Sequence, residues 1–279
     1  MNAHDYAMQA SGSFALPDAC FKVRALMDNE YSTIEDFSNV ISIDPSMTSR
    51  LLQIANSAIY SFEGEISTIS RAISIIGTQA IYNMMLIDVA TTAFKHFSLA
   101  TIDLKRFWHM SVFCGLAARN IAISSDIVDV ERLFVAGLLQ NIGELIVAKT
   151  SPELAKQCEC YGQNILPWQL QQDILGFTYS DVSAKLLKLW QIPEKIVLPI
   201  RHYNNAHSIQ INKDIKVLYL ASRLTLVDCH PDVFSHDDIV DDSICQSLNI
   251  SASSLEAAAN FASLETDNVL NVMNATFYG

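Results

Sequence analysis

Helical periodicity runs through nearly the whole chain. Ser32 and Glu35 have capping-box spacing, and Ile34, Phe37 and Ile41 then recur on one helical face. Asp44-Pro45 predicts a helix start, because the carboxylate can accept orphan N–H bonds and proline's missing donor costs nothing in the first turn. Met47, Leu51, Ile54, Ala55 and Ala58 continue as a stripe until Gly64 breaks it. Ile69, Ala72, Ile73 and Ile76 resume the period, Gly77 interrupts, and Ile81, Met84 and Met85 carry it on. Lys105 and Arg106 follow a brief polar shift and mark a boundary. Beyond it, Phe107 to Ile123 and Arg132 to Lys149 are apolar on almost every face, which predicts central helices. Thr178 to Trp190 and Lys213 to Val227 are further helical runs. Six aspartates between Asp228 and Asp242 predict a solvated loop, and SASSLEAAANFASLE a last helix. Alternating strand patterns and solenoid-length repeats are absent. The pattern predicts an all-α protein with two lobes.

Composition narrows the function. Of 279 residues, 50% are hydrophobic and 17% charged, so the chain can bury a large core and is not disordered. Thirty acidic against 18 basic side chains give a net charge of -12, which disfavours nucleic acid as a partner. The most apolar stretch, Leu133 to Ala148, carries Gln140, Asn141 and Glu144 and is too short to span a membrane. The N-terminus, MNAHDYAMQASGS, lacks the basic and apolar regions of a secretory signal and reads as a flexible lead-in. Six cysteines are scattered without a CxxC pair, which implies reduced thiols and a cytoplasmic location.

Gly-rich phosphate loops, G-x-S-x-G and H-E-x-x-H are all missing. Among the histidines, His4, His230 and His236 read as solvated. His109 lies in an apolar helix, either as a hydrogen-bonded core histidine or as a ligand. On one continuous helix, residues 137, 140, 141 and 144 would share a face, so Gln140, Asn141 and Glu144 form a polar stripe. Structural networking and a site are both open there. His202 and His207, five apart with Asn204-Asn205 between them, do not share one helical face. Asn56 and Ser57 in ANSAIY suit helix capping and a turn, or, with Arg50 and Tyr60, a docking surface.

Several blocks in order resemble the HDOD domain, a branch of the HD superfamily of metal-dependent phosphohydrolases. They are LPDACFKVRALMDN, DPSMTSRLLQIANSAIYS, ISTISRAISIIGTQAIYNMML, FWHMSVFCGLAARNIA, LFVAGLLQNIGELIV, LLKLWQIPEKIVLPIRHY and VLYLASRLTL. The resemblance implies an all-α, multi-helical HDOD/HD-like fold spanning 14–227, with an N-terminal helical lobe (about 14–100) and a C-terminal HD-like helical lobe (about 101–227). Residues 1–13 are then a flexible N-terminus, and 228–279 an acidic loop with a helical extension.

The resemblance also implies a degenerate metal site. A catalytic relative would have His-Asp where Gln140-Asn141 stand, and its late metal-ligating Asp aligns near Ser222. Only His109 matches a metal-ligand position, and neutral amides are weak ligands. The implied function is a non-catalytic regulatory module in signal transduction, without cofactor or metal. It would act on another signalling protein in trans, as monomer or homodimer. Its partner or ligand surface is expected at Arg50, Asn56, Ser57, Tyr60, Glu144 and His202. The alternatives are a phosphohydrolase with an altered site using His109 with Glu144 or an unplaced acid, and a small-ligand sensor. A DNA-binding regulator is disfavoured, because Arg71 is the only base between Ile66 and Phe94.

Overall fold

A computed structural model describes residues 1–11, 17–56, 65–95, 102–205 and 212–274, with side chains omitted at 90–95 and 272–274. The chain divides into two compact units, 1–14 with 97–266 and 15–96 with 267–279. Among the described residues the structure is helical, and the single extended pairing is an isolated bridge between Gly162 and Ile165. All-α is therefore the fold class.

The larger unit opens with α1 (Ala3–Ser11), the smaller comprises α2 (Asp18–Met27), α3 (Ile34–Ile41), α4 (Pro45–Ala55), α5 (Ile69–Ile76) and α6 (Thr78–Lys95). The larger unit continues with α7 (Leu104–Ser124), α8 (Glu131–Leu139), α9 (Ile142–Thr150), α10 (Pro152–Cys158), α11 (Pro167–Leu175), α12 (Tyr179–Leu189) and α13 (Glu194–His202). After these come α14 (Lys213–Cys229), two short helices α15 (His236–Ile239) and α16 (Asp242–Ser247), and α17 (Ala252–Asn274).

In the smaller unit, Asp44 caps α4 as expected, its carboxylate accepting from the Ser46 and Met47 amides at 2.9 and 3.0 Å. The capping box of α3 starts one residue later than the sequence suggests. Thr33, not Ser32, is the N-cap, and Asp36 returns its carboxylate to the Thr33 amide at 2.8 Å. Both pairs have the right spacing, so only backbone conformation separates them. Gly77 ends α5 with φ +86°, a conformation that favours glycine. Met47, Leu51, Ile69, Ile73, Ile81, Met84 and Met85 build this unit's core.

The larger unit is organised around α7, which packs on α8 and α14 and is buried along most of its length. Gly137 of α8 allows that approach, since a Cβ there would lie 2.6 Å from the Cys114 carbonyl oxygen. Arg132 of α8 forks onto both Asp214 oxygens of α14 at 2.8 and 2.9 Å. Residues 131–150 are long and apolar enough to cross a membrane, yet 83% of that window is buried inside the fold, as a core segment requires.

Two expectations need correction here. The N-terminus is not a flexible lead-in: residues 3–11 form α1, which packs on α9 and α12. Ala3, Tyr6, Ala7 and Ala10 repeat at helical spacing and are buried, and the Tyr6 hydroxyl meets Ser151 Oγ at 2.7 Å. The acidic stretch is not wholly a solvated loop either. Asp228 lies in the last turn of α14, while Phe234, Ile244 and Leu248 are buried anchors for the segment after it. The other five aspartates there are exposed.

Candidate functional site

The apolar run from Glu131 to Thr150 is two helices, not one. It breaks at Gln140-Asn141, with Asn141 leaving helical geometry at φ -109°, ψ 13°. The polar stripe expected on a continuous helix is therefore a corner. Gly143 presses the start of α9 so close to α12 that a Cβ would lie 2.0 Å from the Tyr179 carbonyl oxygen. Its amide donates to Ser183 Oγ at 2.8 Å.

This corner opens on a cavity of about 70 Å³. Gln140, Asn141 and Glu144 line one side, Arg106 and Met110 of α7 another, and Ser222, Thr225 and Leu226 of α14 a third. Trp168, Tyr161, Tyr179 and Tyr203 close it with aromatic surface. Of the four positions expected from the resemblance to form a degenerate metal site, the fold gathers Gln140, Asn141 and Ser222 at this cavity. His109 is not among the lining residues. It is one residue, or about 100° of helix, away from Met110, which faces the cavity.

The polar groups of the cavity are largely committed to one another. Arg106 Nη2 lies 3.1 Å from Glu144 Oε1 and 2.9 Å from Glu159 Oε1, and its Nη1 meets the Tyr161 hydroxyl at 3.3 Å. Asn141 Nδ2 donates to the other Glu144 oxygen. The Tyr203 hydroxyl donates to Gln140 Oε1. Burial pushes the Glu144 carboxyl up to about 7 against the pull of Arg106, and pushes the Tyr161 phenol up to about 12. Behind the wall, the buried Arg223 guanidinium lies between the rings of Trp168 and Tyr219, 3.9 and 4.0 Å from their centroids. It donates to Asn204 Oδ1 at 2.9 Å, and burial pulls its pKa down to about 10.

Other sequence candidates fall elsewhere. Arg50 of α4 turns onto Asp88 of α6, with Nη2 to Oδ2 at 2.8 Å, inside the smaller unit. Asn56 caps α4: its Nδ2 donates to the Leu52 and Ile66 carbonyls, and its Oδ1 accepts from the Ile66 amide, each at 2.8 Å. Ser57, Tyr60 and His207 lie outside the described residues. His202 ends α13 and does not line the cavity. His230, read as solvated, is partly buried with Nε2 2.9 Å from the Tyr161 hydroxyl. The acid beside His109 is Asp228 rather than Glu144. Sequence reasoning passed over Arg106, Glu159, Trp168, Tyr203 and Arg223. Arg106 was visible as a base at a boundary, but its partners are 38 and 53 residues away.

The HDOD domain family matches residues 14–206. The chain belongs to the HDOD family. A curated relative of this HDOD protein, an uncharacterized protein from Treponema pallidum (strain Nichols), is 25% identical over 197 residues, or 69% of the chain. The chain spans only 38% of that relative's length. The fold is shared with a candidate phosphohydrolase from Shewanella amazonensis SB2B (TM-score 0.71, 22% identity, 96% and 97% of the two chains). It is also shared with an HDOD domain protein of unknown function from Geobacter sulfurreducens (TM-score 0.65, 18% identity, 98% and 96%). A candidate signal transduction protein from Marinobacter aquaeolei VT8 has the same fold at TM-score 0.71 and 18% identity, over 98% of this chain and 65% of that one.

The cavity of this HDOD protein is a poor match for the divalent metal of HD phosphohydrolases. Among the described residues its lining holds no histidine, and both of its glutamates bond one guanidinium. Gln140 and Asn141 offer neutral amide oxygens or donors, and Ser222 a hydroxyl that donates to the Tyr219 carbonyl at 2.8 Å. A fixed positive charge stands where a cation would need negative ligands. These residues do not fit the metal.

Proposed function

We propose that this HDOD protein is a non-catalytic regulatory module in signal transduction that acts in trans by binding another protein. One observation carries the reading. The positions that would ligate a metal belong instead to a self-satisfied set of Arg106, Glu144, Glu159, Asn141, Gln140 and Tyr203. Such a set rigidifies a core and leaves little capacity to activate water. The cavity volume supports the same reading, since about 70 Å³ is well below the roughly 300–1,000 Å³ of ordinary ligand pockets.

The test has two arms. Purified protein is assayed against nucleotides and phosphomonoesters with and without manganese, and no turnover is expected. Manganese-dependent turnover that disappears in Glu144→Gln overturns the reading. In the second arm, proteins captured from the native host are purified and their affinities measured; a saturable complex with a signalling protein is expected, and failure to find one counts against the module.

A small-ligand sensor is the second reading, favoured by the Tyr179 hydroxyl, which is buried at the cavity with the Cys158 thiol as its hydrogen-bond partner. The volume limits such a ligand to a few heavy atoms.

A further inference from the structure

We propose that His109, Asp228 and Cys229 form a zinc-binding site on the larger unit, separate from the cavity. One ligand atom from each of the three side chains lies within 4.8 Å of the other two, and His109 Nε2 is 3.1 Å from Asp228 Oδ2. In a tetrahedral zinc site, bonds of about 2.0–2.3 Å separate neighbouring ligand atoms by roughly 3.3–3.8 Å. Side-chain adjustments of about 1 Å close that gap.

The ligands come from two helices. Cys229 is the last residue of α14, and His230 leaves helical geometry at φ -138°, ψ 58°. His109 reaches the same point from α7, 119 residues earlier. All three side chains are partly exposed, so an ion can enter without unfolding.

Electrostatics supplies an independent argument. The carboxy-terminal end of α14 carries the negative end of the helix dipole, and its last turn contains no basic residue. Asp228 adds a carboxylate to that end. Arg106, whose charge acts on Cys229, is already balanced by Glu144 and Glu159. An imidazole, a carboxylate and a thiolate together suit zinc better than magnesium or calcium, which prefer all-oxygen ligands. Water completes the fourth position. Bound zinc would tie α7 to the end of α14.

The test uses chelator-treated full-length protein titrated with cobalt(II) as the spectroscopic probe, then with zinc. One cobalt per chain, tetrahedral visible bands and a thiolate-to-cobalt charge-transfer band are expected, and zinc displaces them. Cys229→Ser abolishes the charge-transfer band, and His109→Gln weakens binding by roughly tenfold or more. Cys160→Ser, at an exposed cysteine elsewhere, leaves the spectrum unchanged. Far-UV circular dichroism establishes that each variant is folded. Zinc also raises the melting temperature of the wild type and not of Cys229→Ser. Absence of the charge-transfer band in the wild type, or its survival in Cys229→Ser, overturns the proposal.

Discussion

The hydroxyl of Tyr203 donates to Oε1 of Gln140, joining the turn after α13 to the corner between α8 and α9. Both residues are nearly inaccessible. The bond gives the buried amide a partner within the protein: its oxygen accepts from the Tyr203 hydroxyl.

Tyr203→Phe therefore strands the Gln140 carbonyl oxygen. The expected loss is about 1–3 kcal/mol, the desolvation cost of a buried group without its partner. Adding Gln140→Leu removes the stranded group and restores much of that stability. A double-mutant cycle in urea measures the coupling, and additive losses would show that the bond contributes nothing.

Arg50 and Asp88 form the equivalent test in the smaller unit. The Asp88 side chain is only 4% exposed, so Arg50→Met leaves a buried carboxylate without its ion partner. A loss of about 2–4 kcal/mol is expected. Arg50→Met with Asp88→Leu recovers most of it, as read from urea midpoints. An unchanged midpoint in the single variant would mean that the pair is immaterial to folding.

Gly143→Ala probes the approach of α9 to α12. The added methyl meets the Tyr179 carbonyl oxygen at 2.0 Å, and backbone cannot yield as a flexible side chain would. Destabilisation of at least about 2 kcal/mol is expected. Gly162→Ala, where a Cβ meets nothing within 4 Å, is the matched control and changes stability little.

Glu144 makes stability depend on pH. Burial holds its carboxyl at about 7, above the ordinary value of 4.5. A raised carboxyl favours the fold when protonated, so its contribution is whole below about pH 4.5 and is lost as pH rises through about 7. Glu144→Gln keeps a neutral side chain throughout. Relative to this variant, the wild type should lose about 1–3 kcal/mol between pH 5 and pH 8. Parallel urea stabilities across that range would contradict the assignment.

Much of the architecture is legible in residue order. The Asp44-Pro45 start of α4, the stop at Gly77 and the apolar helices from Phe107 onward follow from local chemistry. The HDOD motifs supply the family. α1 was missed because nine residues with a modest apolar stripe look like a tail until a groove exists to bury them. The two further helical residues, Asp228 and Cys229, were missed because an aspartate run reads as solvent, while Asp228 is turned to His109.

The sequence by itself determined the all-helical class and the family, and set two amides, Gln140-Asn141, in an apolar run. It could not determine what those amides do, because their partners are set by long-range packing. Only the tertiary structure breaks the central apolar run at residues 140–141 and brings Arg106 between Glu144 and Glu159. It also turns His109 away from the cavity to Asp228. A helical residue's angular position changes by about 100° with each step along the chain. A motif can therefore be recognised while its neighbours Met110 and His109 remain interchangeable, until packing assigns each a side.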